Sequence, residues 1–179
     1  MMYPRFLDVE ASSLEANSYP IEVAWSDHLG NIESHLINPY AVDSWTDWDY
    51  EAQKVHGISR KICREHGVHP IWLCGKMDHL IALNESIYAD GGSFDEHWID
   101  QLYGAGSGRG FPKFKIASSD SIMIQELRKM EKSVTKRLDL FEELKLEARS
   151  IVGERHRARV DVQYLIELFK LCQSIGSGI

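Results

Sequence analysis

The sequence predicts an α/β fold, because strand-like segments come first and then alternate with helical ones. Three strand-like runs lie near the N-terminus, at Arg5–Asp8, Ile21–Ser26 and Asn31–Asn38. The turn sequence Asp27-His28-Leu29-Gly30 joins the second run to the third, which is typical of an antiparallel meander. Strands and helices alternate after this meander, and the last third of the chain is predicted to be mostly helical.

The later elements follow from apolar periodicity and from residues that favour helix starts. We predict helices at Asp49–Val55, Ser59–Glu65, Pro70–Asn84 and Ser93–Tyr103, strands at Ser86–Ala89 and Lys113–Ala117, and mostly helix from there to Ser174. The four glycines of Gly104–Gly110 match no phosphate-binding motif, so we predict a flexible loop there.

Length and composition indicate one folded domain. A chain of 179 residues can build one domain with a real core but not two of ordinary size. Its 44% hydrophobic and 26% charged residues argue against a disordered or fibrous protein. We expect a single domain over residues 1–179, with an ordered core at 1–174 and a C-terminal tail at 175–179.

Several classes of partner and compartment are disfavoured. No apolar run approaches the roughly 18 residues that a membrane span needs, so we expect no membrane partner. The three cysteines, Cys63, Cys74 and Cys172, cannot all pair, which favours a reducing, cytoplasmic location. The net charge of −7 argues against a protein that coats nucleic acid, but not against an enzyme that neutralises phosphate locally with bound cations.

Acidic residues in separate segments are the first candidates for chemistry. Asp8 and Glu10 end the first strand-like run, and residues two apart on a strand project from the same face. Asp95 lies in the first turn of a predicted helix, where Ser93 and Glu96 form the S-x-x-E pattern of a capping box. Taken singly, each of these features is also common in proteins without a metal or an activity.

A histidine and a fourth acid precede the last amphipathic helix. Asp161 opens or enters this helix, whose apolar stripe consists of Tyr164, Leu165, Leu168, Phe169 and Cys172. Five positions correspond to about 140° on an ideal helix, so His156 and Asp161 cannot share a face and His156 is predicted on the preceding loop. Since imidazole ionises near neutral pH, such a histidine suits a general base, although a plain surface histidine is the alternative.

Together these residues form three motifs in a fixed order. At Phe6-Leu7-Asp8-Val9-Glu10, Ser93-Phe94-Asp95 and His156-Arg157-Ala158-Arg159-Val160-Asp161, the sequence resembles the DEDDh branch of the DnaQ-like 3′→5′ exonucleases. Tyr19–Trp25 and Val55–Ser59 resemble the family as well. The motifs span most of the chain, in the order and spacing of the family.

One segment departs from the family pattern. The family often has a Thr-Gly pair before the leucine that follows D-x-E, whereas this chain has Ala11-Ser12-Ser13 before Leu14. The departure concerns residues expected to contact the substrate, and it leaves the expected metal ligands in place.

The resemblance implies a ribonuclease H-like fold, with a mixed five-stranded sheet flanked by helices. It also implies a set of metal ligands, which are Asp8, Glu10, Asp95 and Asp161, with Asp8 bridging two ions. His156 would take the proton from the attacking water. Two divalent ions about 3.5–4 Å apart can supply the nucleophile and stabilise the leaving 3′ oxygen, and oxygen ligands select Mg²⁺ or Mn²⁺.

The resemblance further implies where the substrate binds. The backbone around Glu10 and Ala11 would hold the terminal hydroxyl, while Leu14 and Ile58 would pack against the last bases, with His56 near them. Apolar contacts of this kind tolerate any base and favour unpaired ends, so the expected partner is a single-stranded 3′ end of DNA or RNA. Many family members dimerise, and a homodimer is one of the oligomeric states that the sequence leaves open.

Three other interpretations compete with this one. A catalytically inert nucleic-acid- or partner-binding module would keep the same fold, and exposed Trp45 and Trp48 would be its best support. A glycosidase would need two acids and would leave the others and His156 unexplained. A small structural zinc site is the third, since four suitable ligands lie within twelve residues, at Cys63, His66, His69 and Cys74.

Overall fold

Five strands form one mixed sheet in the computed structural model, which describes residues 2–153 and 156–176. They are β1 (Arg5–Ala11), β2 (Pro20–Ser26), β3 (Ile32–Leu36), β4 (Ser86–Ala89) and β5 (Lys115–Ser118). The strand order is β3-β2-β1-β4-β5. The β1–β2 and β2–β3 pairs are antiparallel, whereas β1–β4 and β4–β5 are parallel. The predicted α/β fold with a mixed five-stranded sheet is confirmed.

The described residues contain seven α-helices and a short 3₁₀ helix at Pro39–Ala41. The α-helices are α1 (Tyr50–His56), α2 (Arg60–His66), α3 (Pro70–Leu80), α4 (Ser93–Gly106), α5 (Ser119–Arg128), α6 (Val134–Val152) and α7 (Ala158–Gly176). Asp49 and Ser59, predicted as helical, are N-caps whose side chains accept backbone N–H groups. None of the helices in the described part of the chain is both long and apolar enough to span a membrane.

Several element boundaries differ from the prediction. Strand β1 continues beyond Asp8 to Ala11, and helix α3 ends at Leu80 rather than Asn84. Helix α7 continues to Gly176, so residues 175 and 176 belong to this helix rather than to a tail. Residues 177–179 of the predicted tail lie outside the described residues.

The side chains of β1 alternate between two apolar cores. Leu7 and Val9 lie in a core with α3 and α4, whereas Phe6 lies in a core with α5, α6 and α7. Because alternate side chains of a strand share a face, Asp8 and Glu10 project to the side of Phe6. The central strand therefore presents both carboxylates to the layer that contains α7.

The glycine-rich segment Gly104–Gly110 is partly helical, because α4 runs as far as Gly106. A Cβ atom on Gly106 would come within 2.6 Å of the backbone of Pro70, at the start of α3. Glycine at this position lets the two helices approach each other closely. Beyond the helix, the Arg109 guanidinium forms a 2.7 Å ion pair with Asp78.

Substituting Gly106 tests this close approach. We expect Gly106→Ala to lower the free energy of unfolding by about 1–3 kcal/mol, as overpacking usually does. Gly104→Ala is the matched control, since a Cβ atom there meets nothing within 4 Å. The control is expected to raise the free energy of unfolding by about 0.5–1 kcal/mol through helix propensity. Urea denaturation measures the free energy of unfolding of both variants. Equal changes in the two would contradict the close approach of position 106 to Pro70.

Candidate metal centre

Three carboxylates from two elements converge on one face of the sheet. Asp8 and Glu10 come from β1, and Asp161 is the fourth residue of α7. One carboxylate oxygen of each lies within 4.8 Å of the other two. Within residues 2–153 and 156–176, no other three His, Cys, Asp or Glu side chains come together in this way. Oxygen donors at this spacing fit a hard divalent cation such as Mg²⁺ or Mn²⁺.

Packing of α7 against the sheet brings Asp161 to the strand residues. The helix contacts β1, β2 and β3, and its predicted apolar stripe is buried, which confirms that prediction. Asp161 is buried at the same interface and accepts a 2.9 Å hydrogen bond from the backbone N–H of His156 on Oδ2. The carboxylate position is therefore fixed by the helix and by the loop before it.

The fourth predicted ligand, Asp95, lies next to this group. Its carboxylate oxygens are not within 4.8 Å of the ligand atoms of all three members. Its side chain is buried, and Oδ2 accepts a 2.9 Å hydrogen bond from the Gly91 N–H. The backbone N–H of Val9, which lies between the two β1 acids, is close enough to the Asp95 carboxylate to oppose the rise of its pKa. Asp95 therefore lies beside the strand that carries Asp8 and Glu10.

The turn that positions Asp95 is not the predicted capping box. Ser93 is the first residue of α4, so Gly92, with φ at 61°, occupies the N-cap position and no side chain caps the helix. A serine inside the helix cannot act as its N-cap, because that position requires a non-helical backbone. Asp95 instead binds back to Gly91, where a Cβ atom would come within 2.5 Å of Oδ2.

Burial and mutual repulsion raise the pKa values of the acids. Burial, followed by the charges of Asp95 and Asp161, raises the pKa of Asp8 well above its ordinary range. Burial, then Asp161, raises the pKa of Glu10 to about 7. Burial, then the charge of Asp90, raises the pKa of Asp95 to about 7. A bound cation would oppose these effects, because it stabilises the charged form of each carboxylate.

His156 lies on the loop before α7, as predicted. It is exposed, with φ at 80°, a left-handed conformation that costs a non-glycine residue about 1–2 kcal/mol. It contributes to an open cavity of about 520 Å³, lined by Asp8, Val9, Glu10, Arg149, His156 and Asp161. The structure therefore brings the predicted base and three of the predicted ligands to one cavity.

A smaller cavity of about 180 Å³ shares Val9 and Glu10 with the first. Its lining is mostly apolar and consists of Val9, Glu10, Ala11, Ser13, Leu14, Ala52, Val55, His56 and Trp98. Ala11, Leu14 and His56, three of the four residues expected to contact substrate, lie here. Ile58, the fourth, does not line the cavity, since it is buried in the core.

His56 carries a hydrogen-bond donor at this smaller cavity. Its side chain is 5% exposed, and Nδ1 accepts a 3.0 Å hydrogen bond from the Ile58 N–H. The proton of the neutral ring is therefore on Nε2, and burial lowers the pKa of His56, which favours the neutral form. Nε2 has no partner in the described part of the chain. A buried donor of this kind can serve an acceptor on a ligand.

Asp47, which was not among the predicted site residues, holds the segment Ala11-Ser12-Ser13, which departs from the family pattern. The hydroxyls of Ser12 and Ser13 both donate to Asp47, at 3.0 and 2.6 Å. Ser12 Oγ also accepts the N–H of Tyr19 at 3.2 Å. These contacts fix the chain just before Leu14, which is 71% exposed at the small cavity. Asp47 pairs across more than thirty residues, so no local pattern could have marked it.

The tryptophan loop is packed rather than exposed. Trp45 is 4% exposed and stacks on Tyr19, with ring centroids 5.0 Å apart and an interplanar angle of 2°. Trp48 is partly buried, and its Nε1 donates to Gln53. The expectation of two exposed tryptophans is therefore wrong for Trp45, and the inert binding module loses its best support.

The candidate zinc ligands do not assemble. Cys63 and Cys74 are buried, and burial raises the pKa of each thiol to about 12, which disfavours the thiolate that zinc requires. His66 and His69 are exposed, and His69 Nδ1 caps α3 by accepting the Ile71 N–H. Among the residues that the structure describes, these four form no metal-binding group.

Solved structures of exonuclease I share this architecture. Exonuclease I from Methylocaldum szegediense is 14% identical, with a TM-score of 0.62, over 95% of this chain and 40% of that chain. Escherichia coli exonuclease I in complex with a dA16 oligonucleotide is 14% identical, with a TM-score of 0.64, over 96% and 42% of the two chains. The fold is ribonuclease H-like.

A zinc-bound form of the E. coli exonuclease I complex with single-stranded DNA also matches, with 13% identity and a TM-score of 0.62, over 97% of this chain and 40% of that one. This chain thus spans about two fifths of the length of these exonucleases. At such identities the similarity establishes the fold alone. No family model and no curated protein matches the sequence.

Proposed function

We propose that the chain is a metal-dependent 3′→5′ exonuclease that removes nucleotides from single-stranded 3′ ends of DNA or RNA. The observation that carries the proposal is the group of Asp8, Glu10 and Asp161, with oxygens within 4.8 Å of one another, in one cavity with His156. Buried Asp95 adjoins it. The similarity in fold to exonuclease I supports the same activity.

The four acids would hold two ions, and His156 would act as the general base. Bound Mg²⁺ or Mn²⁺ would lower the pKa of a coordinated water and neutralise charge on the departing 3′ oxygen. An imidazole nitrogen of His156 accepts the proton of the attacking water and passes it to solvent, to which this side chain is exposed. Asp161 orients the base by accepting its backbone N–H.

The smaller cavity would hold the terminal nucleotide. Its volume is below the roughly 300 Å³ at which pockets for drug-sized ligands begin, which suits one unpaired base. Leu14 and Val55 are exposed apolar side chains at this cavity that would pack against the base without selecting its identity. The backbone at Glu10 and Ala11 would hold the terminal hydroxyl, and His56 Nε2–H would donate to a neutral acceptor.

Digestion of 5′-labelled single-stranded DNA and RNA tests the proposal. With Mg²⁺ or Mn²⁺ we expect a ladder that shortens from the 3′ end and disappears with EDTA. Asp95→Ala and His156→Ala are each expected to lower the rate at least about 100-fold, through loss of an ion ligand and of the base. Asp100→Ala, an exposed acid on the same helix as Asp95, is the control and should cleave normally. Intact substrate under every metal would refute the activity and favour the binding module.

A further inference from the structure

Glu22 is a buried acid that the proposed chemistry does not use. It lies on β2 directly opposite Glu10 and is 2% exposed. Its carboxylate is not part of the group formed by Asp8, Glu10 and Asp161. A buried carboxylate outside the metal centre needs its own explanation, because burial of a charge is costly unless it is paired.

Four donors satisfy this carboxylate. Arg157 donates from Nε to Oε2 at 3.0 Å and from Nη2 to Oε1 at 2.8 Å, in a two-pronged ion pair. The Ala158 N–H donates to Oε2 at 3.2 Å, and Ser34 Oγ donates to Oε1 at 3.1 Å. Glu22 therefore also caps α7, by taking one of the N–H groups that have no partner within the helix.

Three of these four donors belong to Arg157 and Ala158, the residues that directly follow His156. The Arg157 side chain and the Ala158 N–H hold this part of the chain to β2. On its other side, the His156 N–H is held by Asp161. The backbone of the proposed base is thus fixed between the sheet and α7.

The position of His156 depends on these hydrogen bonds, because no other contact among the described residues fixes it. Its side chain is exposed, so packing in the core does not fix the ring. Its left-handed backbone, with φ at 80°, is a conformation that persists only where surrounding contacts impose it. Among the described residues, the contacts next to it in the chain are those made by its own N–H, by Arg157 and by Ala158.

We propose that Glu22 is a positioning residue, which acts through Arg157 and Ala158 to hold the His156 imidazole at the carboxylate group. The proposal rests on the proposed exonuclease function. The alternative is that the pair only stabilises the fold. Glu22 is buried but Arg157 is half-exposed, and an ion pair of this kind contributes little more stability than a neutral pair, so the two roles can be separated by removing both charges together.

The test variant combines Glu22→Gln with Arg157→Leu. The amide oxygen can still accept the Ala158 N–H, and no unpaired charge remains. We expect the variant to fold, kcat to fall roughly 10- to 100-fold, and KM to change less than about threefold, because the base is displaced while the substrate cavity is intact. The matched control removes the remote ion pair with Asp78→Asn and Arg109→Leu, and its kcat should not change.

A direct measurement of His156 does not depend on activity. The ¹⁵N heteronuclear NOE of the His156 amide is expected to fall in the test variant and to stay unchanged in the control. In a His156→Ala background, the paired substitution should give no further loss of kcat, because it acts only through the missing ring. Should the paired variant fail to fold, Arg157→Lys keeps the charge but loses the two parallel N–H donors, and a smaller loss of kcat and NOE is expected.

An unchanged His156 NOE, or a further loss of kcat in the His156→Ala background, would overturn the positioning role. A wild-type protein that cleaves no nucleic acid would instead refute the proposed function. In that case the NOE comparison still decides whether Glu22 holds His156 in place.

Discussion

Asp8→Asn is expected to abolish nucleotide release, with a fall in kcat of at least about 1,000-fold, and at the same time to stabilise the metal-free protein. Asp8 is the acid that the others surround. Besides burial, the charges of Asp95, Asp161 and Glu10 each raise its pKa. Three neighbouring carboxylates therefore disfavour the charged form of Asp8. Asparagine keeps the shape and removes that charge, which relieves the repulsion but leaves the ions with a much weaker ligand.

Two measurements on one variant check this prediction. Single-turnover cleavage at saturating Mg²⁺ gives the loss in the chemical step, and calorimetry in EDTA at pH 8 gives the change in Tm. Asp100→Asn is the control, since this exposed acid lies away from the group. A variant that keeps a tenth of the wild-type rate, or melts below the wild type in EDTA, would contradict the central role of Asp8.

The second large effect concerns pH and metal. Burial raises the pKa values of Asp95 and Glu10 to about 7, from ordinary values of 3.8 and 4.5. Since the folded protein holds these protons more tightly than the unfolded chain, their stabilising effect is complete below the ordinary values and is lost as pH rises through 7. One pKa unit corresponds to about 1.4 kcal/mol. We therefore expect the metal-free Tm to fall by about 10 °C between pH 5 and pH 8.

Saturating Mn²⁺ is expected to restore the Tm at pH 8 and to flatten its pH dependence, because the ions bind only the folded carboxylate group. His56 acts in the opposite direction, since burial lowers its pKa from 6.5, so it offsets part of the fall below that pH. Thermal melts in EDTA and in Mn²⁺ across this range provide the comparison. A metal-free Tm that is constant from pH 5 to pH 8 would show that the acids do not repel one another as described.

Local patterns were sufficient to predict most of the fold and which elements carry the acids of the candidate site. The two-residue period of a strand placed Asp8 and Glu10 on one face, and β1 shows that arrangement with Phe6 on the same side. The helical period separated His156 from Asp161, and the structure places the histidine on the loop and the acid in α7. Both predictions depend on spacing within a few residues, which a sequence records directly.

Contacts between distant segments could not be predicted in the same way. Asp47 meets Ser13, and Glu22 meets Arg157, across long stretches of chain, and no spacing rule links such residues. The prediction of a capping box at Ser93 was wrong for a related reason. The start of α4 is set by the backbone conformation of Gly92 and by the hydrogen bond from the Gly91 N–H to Asp95. The S-x-x-E pattern contains no information on that geometry.

The arrangement of the metal centre has a consequence for the newly made chain. Two of its carboxylates belong to the first strand and the third to the last helix described, so β1 leaves the ribosome long before α7. Until α7 has been synthesised and has packed on the sheet, Asp8 and Glu10 lack Asp161 and the proposed base, His156, whose N–H Asp161 accepts. Under the proposed function, a nascent chain would therefore be unable to cleave the messenger RNA or any other nucleic acid beside it during translation.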